Sequence, residues 1–248
     1  MHRFFVSPTA IYADVFRSTE KDLCHQLGRV LKIRVGQQAV LCDNSEHEYL
    51  VEFTGIGKTS VEAKVLKKTH KPDMGSQRPV HLYCALLKNQ NRWEDMLEKC
   101  TELGVASFTP LVTERTEAQA LRKPERLHRI IQEAAELSGR TLLPILNEPL
   151  QFSELLKNAP KGNNLIPTLL PQAAKLLTPH SSLPTPHSQL LTPHSQLLTN
   201  LFIGPVGDFT GAEIEQAIQK NFQPVSLGSQ VLRTETAAII ASGFILIS

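Results

Sequence analysis

The stretch "SLGSQVLRTETAAIIASGFILIS", Ser226 to Ser248, decides the fold. A loop holding Gly228 leads into the charged run Arg233-Thr234-Glu235 and then into an apolar tail that starts at Ala237. The tail is far shorter than the roughly 20 apolar residues that span a bilayer. It therefore predicts a buried core helix and no membrane partner. "QPVSL" ahead of the loop has the composition of a strand, so the whole segment reads strand, loop, helix. In an open α/β sheet, ligands bind beyond the carboxyl ends of strands, which is where this loop falls.

The same unit recurs upstream. "NLFIGP" precedes the loop "GPVGDFTGAE" and the helix "TGAEIEQAIQKN", in which Thr210 and Glu213 have capping-box spacing. "NLIPTLL" leads to a third loop that begins at Pro171. Earlier still, "VHLYCALLK" is the continuous apolar run of a parallel strand buried on both faces. "NRWEDMLEKCTELG" follows at helical period, with Asn91 and Glu94 as its expected capping box, and "VASFTPLV" is the next strand. In "KPERLHRIIQEAAELSGR", Pro124 suits a first turn, Leu127, Ile130, Ile131, Ala134 and Ser138 share a face, and Gly139 marks the end. This alternation predicts an α/β domain with a mostly parallel sheet.

Up to about Lys71 the pattern is different. "AVLCDNSEHEYLVEF" reads as a hairpin turning at Asp43, Asn44 and Ser45, and "SVEAKVL" alternates after it. A small β-rich module follows from this. Its basic residues concentrate in "RVLKIR" and "KVLKKTHK", which fits either a solvated rim or a face that contacts phosphates. "KPDMGSQRP", residues 71–79, has the composition of a linker.

The chain has 248 residues and a formal charge of +2, so it allows one large or two modest domains and neither demands nor excludes a nucleic acid. Its four cysteines are dispersed with no Cys-x-x-Cys pair, which points to a reduced, cytoplasmic protein without structural zinc. "MHRFFVSPTA" has too short an apolar run for a secretory signal. At about residues 176–200 a seven-residue unit built on Thr-Pro-His-Ser repeats, placing His180, His187 and His194 in register. Proline in each unit and the absence of any other ligand type favour a low-complexity insertion over a metal site. Excising the repeat is expected to leave the fold intact. No Gly-x-Gly-x-x-Gly, Walker lysine or Gly-x-Ser-x-Gly is present, which disfavours a dinucleotide site, a P-loop and an α/β-hydrolase.

"HRFFV", "HQLGRVLKIRVGQ", "EKCTELGV", "AAELSGR", "IGPVGDF" and "LGSQVLRTETA" stand in this order along nearly the whole chain. With them the chain resembles the RsmE family of 16S ribosomal RNA uridine N3-methyltransferases. The resemblance implies a PUA-like β-barrel over residues 1–72, followed by a SPOUT domain over 73–248 whose C-terminal part is tied in a deep trefoil knot. It further implies S-adenosylmethionine as cofactor, a homodimer, and 16S rRNA or the small ribosomal subunit as partner. Carried over residue by residue, the cofactor site comprises Leu170, Gly204, Pro205, Leu227, Gly228, Ser229, Gln230, Val231 and Leu232.

For the chemistry the resemblance suggests Arg233, Arg140 and Glu235, with no general base assigned. Arg233 has two readings, a group that holds phosphate or the uridine anion and a helix-start ion pair. Glu235 is either a proton acceptor or a favourable charge in a first helical turn. Arg140 either reaches the target or complements a helix end. Arg3, Arg29, Lys32, Arg115 and Arg122 are the expected RNA-binding residues. The chain departs from the family's usual Gly-Pro-Glu-Gly-Gly-Phe at Val206 and Asp208, carries Leu137 where glutamine is usual, and has Lys32 in place of an arginine. The rival functions are an RNA-binding or ribosome-assembly factor of the same fold and a methyltransferase acting on tRNA.

Overall fold

The computed structural model describes residues 1–169, 173–176 and 198–247. Leu170 and most of the Thr-Pro-His-Ser repeat, with its three histidines, lie outside the described residues. Two compact units are present, one made of Met1–Asp73 with Ala135–Leu143, the other of Met74–Ala134 with Pro144–Ser248.

The first unit holds β1 (Arg3–Phe5), β2 (Ile11–Tyr12), β3 (Val15–Ser18), β4 (Gln38–Cys42), β5 (His47–Ile56) and β6 (Val61–His70), with α1 (Lys21–His25) running into a π-helical turn over Gln26–Val30. They form one mixed sheet in the order β1-β4-β5-β6-β3-β2, in which β1 pairs parallel with β4 and the other pairings are antiparallel. The β4–β5 hairpin turns at Asp43, Asn44 and Ser45, where the Tyr49 hydroxyl donates to Asp43 Oδ2 at 2.8 Å. Alternate residues Val51, Phe53, Val61, Ala63 and Val65 point into one core with Phe16, Leu23 and Leu27, the period-2 burial that a half-covered sheet requires.

"KPDMGSQRP" contains the division between the two units, at Asp73 and Met74, and it is more ordered than its composition suggests. Its residues 74–77 form a short helix, α2 (Met74–Gln77), and Asp73 is only 3% exposed. Asp73 Oδ1 accepts from Arg140 Nη2 at 2.8 Å, and Oδ2 accepts the backbone N–H groups of Thr141 at 3.0 Å and Leu142 at 3.2 Å. Pro-Asp composition signals a turn, but the partners that bury this carboxylate lie some seventy residues downstream, beyond the reach of local pattern.

The second unit contains β7 (Val80–Ala85), α3 (Gln90–Leu103), β8 (Ser107–Val112), most of α4 (Pro124–Ser138), β9 (Ile145–Leu146), β10 (Leu150–Gln151), α5 (Phe152–Lys157), β11 (Asn163–Pro167), β12 (Ala174–Lys175), β13 (Thr199–Ile203), α6 (Gly211–Gln219), β14 (Gln223–Ser226) and α7 (Thr234–Ile247). Its strands pair entirely in parallel, in the order β10-β8-β7-β13-β11-β14-β12, with β9 beside β8. Adjacent residues of the central strands go to opposite faces. Leu201 and Ile203 join Leu82, Met96, Leu97, Cys100, Ala238 and Ala241 in a core formed with α3 and α7. Phe202 turns the other way, into an aromatic cluster with Phe152, Phe209 and Phe222.

The α3 start differs from expectation. Asn89 is the cap, its side chain accepting from Asn91 N at 3.0 Å, and Glu94 is held instead by Arg126 Nε and Nη2 at 2.8 Å each. The Thr210–Glu213 capping box of α6 forms as its spacing predicts. No helix among the described residues is long and apolar enough to cross a membrane.

Candidate functional site

A cavity of about 500 Å³ opens where β11, β13 and β14 end, within the range of pockets that enclose small ligands. Its walls come from Pro167–Leu169 after β11, Ile203–Asp208 after β13, and the loop from Leu227 into the first turn of α7, with Arg92 from α3. Every one of these residues belongs to the second unit.

Backbone shape dominates the middle loop. A Cβ on Gly204 would lie 2.8 Å from Asp208 Oδ1, closer than real side chains come, and 3.0 Å from Phe209 N, so any other residue there would make the Asp208 side chain or the loop shift. Gly207 adopts φ +90° and Gly228 φ +119°, the region glycine enters without steric cost. Asp208 adopts φ 64° although it is not glycine, and its Oδ1 accepts the Phe209 N–H at 2.8 Å. Burial raises the Asp208 carboxyl above its ordinary range, against the opposing pull of the Phe209 N–H, Arg115 and the Thr168 hydroxyl. Arg115 donates through Nη1 to Gly207 O, and Glu213 Oε1 accepts Glu114 N at 2.9 Å. The loop after β8 is thus fastened to the loop after β13.

On the α3 side, Arg92 donates from Nε to Glu235 Oε1 at 2.7 Å. Glu235 is nearly buried, its side chain 9% exposed, and its Oε2 has no hydrogen-bond partner among the described residues.

Of the residues expected at a cofactor site, Gly204, Pro205, Leu227, Gly228, Gln230, Val231 and Leu232 line the cavity, while Ser229 is exposed and does not. Of the three suggested for the chemistry, Arg233 lines the cavity and is exposed. Glu235 is attached to it through Arg92. Arg140 lies in the first unit, 7% exposed and ion-paired with Asp73 at 2.8 Å.

Among the expected RNA-binding residues of the first unit, Arg29 and Lys32 are exposed, whereas Arg3 binds Glu48 at 2.6 Å with a side chain 14% exposed. Arg115 and Arg122 are exposed in the second unit. Sequence reasoning missed Arg92, Thr168 and Asp208 as lining residues. Arg92 had a signal available, since it opens the helix that follows β7, another parallel strand whose carboxyl end faces the ligand side.

Comparison with known proteins converges on one family. Residues 75–246 match the family model described as an RNA methyltransferase domain, and residues 20–66 match one described as an RNA methyltransferase PUA domain. A relative named Ribosomal RNA small subunit methyltransferase E from Synechocystis is 32% identical over 241 residues, covering 97% of this chain and 75% of its own. The crystal structure of a Ribosomal RNA small subunit methyltransferase E from Neisseria gonorrhoeae, bound to S-adenosyl methionine, is 27% identical with a TM-score of 0.80, covering 98% of this chain and 95% of that one. A methyltransferase from Legionella pneumophila in complex with the same cofactor is 26% identical with a TM-score of 0.79, covering 99% of this chain and 96% of that one.

Proposed function

The chain belongs to the RNA methyltransferase family, and from that premise we propose that it methylates N3 of a uridine in 16S rRNA. It is an S-adenosylmethionine-dependent rRNA methyltransferase. The observation that carries this reading is the cavity of about 500 Å³, walled by the ends of three parallel strands and by the unbroken "LGSQVLRTETA" loop.

The cavity suits this cofactor. Ile203, Leu227, Leu232 and Ala237 supply apolar walls, Gly204 lets the loop after β13 fold closely on itself, and Arg92 and Asp208 supply charges of both signs for a zwitterionic amino-acid end. When bound, the cofactor supplies an electrophilic methyl group on a sulfonium. What remains for the protein is to align the uracil nitrogen and to take up its imide proton, tasks of positioning and proton removal. We assign Arg233, exposed at the cavity wall, to hold the uracil as its charge becomes negative. Glu235 acts through Arg92, and Arg140 keeps the "SGR" segment in place.

The strand order β13-β11-β14-β12, with the last helix returning against α3 and β7, is consistent with the knotted SPOUT domain we propose over residues 73–248; that it works as a cytoplasmic homodimer is part of the proposal and rests on the family resemblance. Residues 1–72 are the PUA-like RNA-docking barrel, with Arg29 and Lys32 as phosphate contacts and Arg115 and Arg122 extending the track. Affinity for small-subunit RNA is then expected to fall steeply with added salt.

The rival reading, an RNA-binding factor without transfer activity, draws on Val206 and Asp208. Calorimetric titration of the purified protein with S-adenosylmethionine separates the two. Micromolar binding near one site per chain is expected, and no binding by a folded protein would favour the rival.

A further inference from the structure

We propose that Arg92 is the cofactor's carboxylate receptor and that Glu235 is the positioning residue that aims it, an inference that rests on the methyltransferase reading. S-adenosylmethionine carries a single anionic group, the α-carboxylate of its amino-acid end. Burying that group against apolar wall without a counter-charge is costly, so an occupied cavity needs a cation at its wall. Among the described residues lining it, the only cations are Arg92 and Arg233.

The two differ in how they are held. Arg233 is exposed and makes no side-chain hydrogen bond among the described residues. Arg92 is fixed through Nε to Glu235 Oε1 at 2.7 Å, with its side chain 29% exposed. Using Nε for Glu235 leaves the two Nη groups with no protein partner among the described residues. A guanidinium held in this way offers a planar pair of donors that matches a carboxylate bidentately. Glu235 is fit for this holding role. It sits in the first turn of α7, is nine-tenths buried, and spends one oxygen on Arg92 while the other has no partner among the described residues. A carboxylate kept in so dry a position fixes the direction of its partner more tightly than an exposed one, because the local dielectric is low.

The test uses calorimetry on the full chain with two probes, S-adenosylmethionine and its decarboxylated form, which keeps the sulfonium and the amine. The wild type is expected to prefer the carboxylated probe by about ten- to a hundredfold, the span of a charge-assisted hydrogen-bonded contact. Arg92→Ala should erase that preference by weakening only the carboxylated probe. Arg92→Lys, which keeps the charge without the fork, should retain part of it. Glu235→Gln should narrow the preference a few-fold while leaving the decarboxylated probe unchanged.

Several results would overturn the assignment. One is an Arg92→Lys or Arg92→Ala protein that discriminates like the wild type; another is equal loss of both probes in every variant. A variant that binds both probes normally but no longer retains RNA would also overturn it, moving Arg92 to the RNA. If the wild type binds neither probe, the methyltransferase reading itself fails, an outcome visible before any variant is made.

Discussion

Replacing Asp73 with alanine tests how the first unit is held together. The Asp73 side chain is 1% exposed and that of Arg140 6%, so the pair is buried on both sides. Removing one member of a buried ion pair costs about 3–5 kcal/mol, because the other charge loses its buried counter-charge. Here the loss goes further, since the Thr141 and Leu142 N–H groups give up their acceptor as well. Each orphaned donor carries a penalty of about 1–3 kcal/mol where water does not reach it. These terms overlap, and about 4 kcal/mol is a lower figure for the sum. In a unit of roughly 80 residues that corresponds to a melting transition lowered by about 15 °C or more.

Differential scanning calorimetry of Asp73→Ala and Arg140→Met reads this directly, and the order of the two is the sharper expectation. Arg140→Met leaves the carboxylate with the backbone donors of Thr141 and Leu142, so it should cost less than Asp73→Ala. Because the cavity's lining residues all lie in the second unit, Arg140→Met should also keep its affinity for S-adenosylmethionine. An Asp73→Ala protein that melts within about 2 °C of the wild type, less than 1 kcal/mol would produce, would refute the reasoning. So would an Arg140→Met protein that melts lower than Asp73→Ala.

Two further predictions follow from the same geometry. Gly204→Ala should weaken S-adenosylmethionine binding without a large loss of stability, because its methyl group would meet Asp208 Oδ1 at 2.8 Å and Phe209 N at 3.0 Å and make the cavity loop shift; unchanged calorimetric affinity would contradict this. Burial alone would raise the Glu48 carboxyl, but hydrogen bonds from Lys71 and Arg3 outweigh it and hold the group below its ordinary 4.5. A lowered folded-state value contributes stability above pH 4.5 that is lost as the pH falls through that value. Urea unfolding should therefore show Glu48→Gln weaker than wild type at pH 7, with the gap closing toward pH 3, and a gap that stays constant would sink the idea.

What the sequence made legible were the parts that short-range rules govern. Continuous apolar runs such as "VHLYCALLK" and "NLFI" became parallel strands, the second buried at every position and the first only partly buried at His81 and Tyr83, and Thr210 with Glu213 formed the cap their spacing announces. The ligand-side loops could be found because they follow the strands directly. Two kinds of feature stayed out of reach. Asn91 was the expected cap of α3, but Asn89 takes that place, and the Glu94 expected in the capping box is bound instead by Arg126, 32 residues away. Asp73 looked like linker because Arg140 and the following backbone amides are distant in sequence. Arg92 likewise acquired its place only when Glu235, 143 residues on, was brought beside it. In each case the deciding partner is a charge supplied by tertiary structure.

The altered loop at Val206 and Asp208 then has a physical reading. The family's usual Gly-Pro-Glu-Gly-Gly-Phe has glycine at the position of Asp208, which here adopts φ 64°. A non-glycine residue is strained in that region unless its side chain compensates, and aspartate is one of the few that does so through a local hydrogen bond. Asp208 supplies that bond, its Oδ1 accepting the Phe209 N–H. Meanwhile Gly204, where the Cβ clash is real, and Gly207, at φ +90°, are both retained. The two glycines that a change would disturb most are kept, and the one that was lost is replaced by a residue able to hold the same backbone shape. The acidic group has in effect moved from the position of Val206 to that of Asp208, where it remains at the cavity wall. A loop that had stopped binding ligand would be under no pressure to combine these features, which weighs toward a working cofactor site.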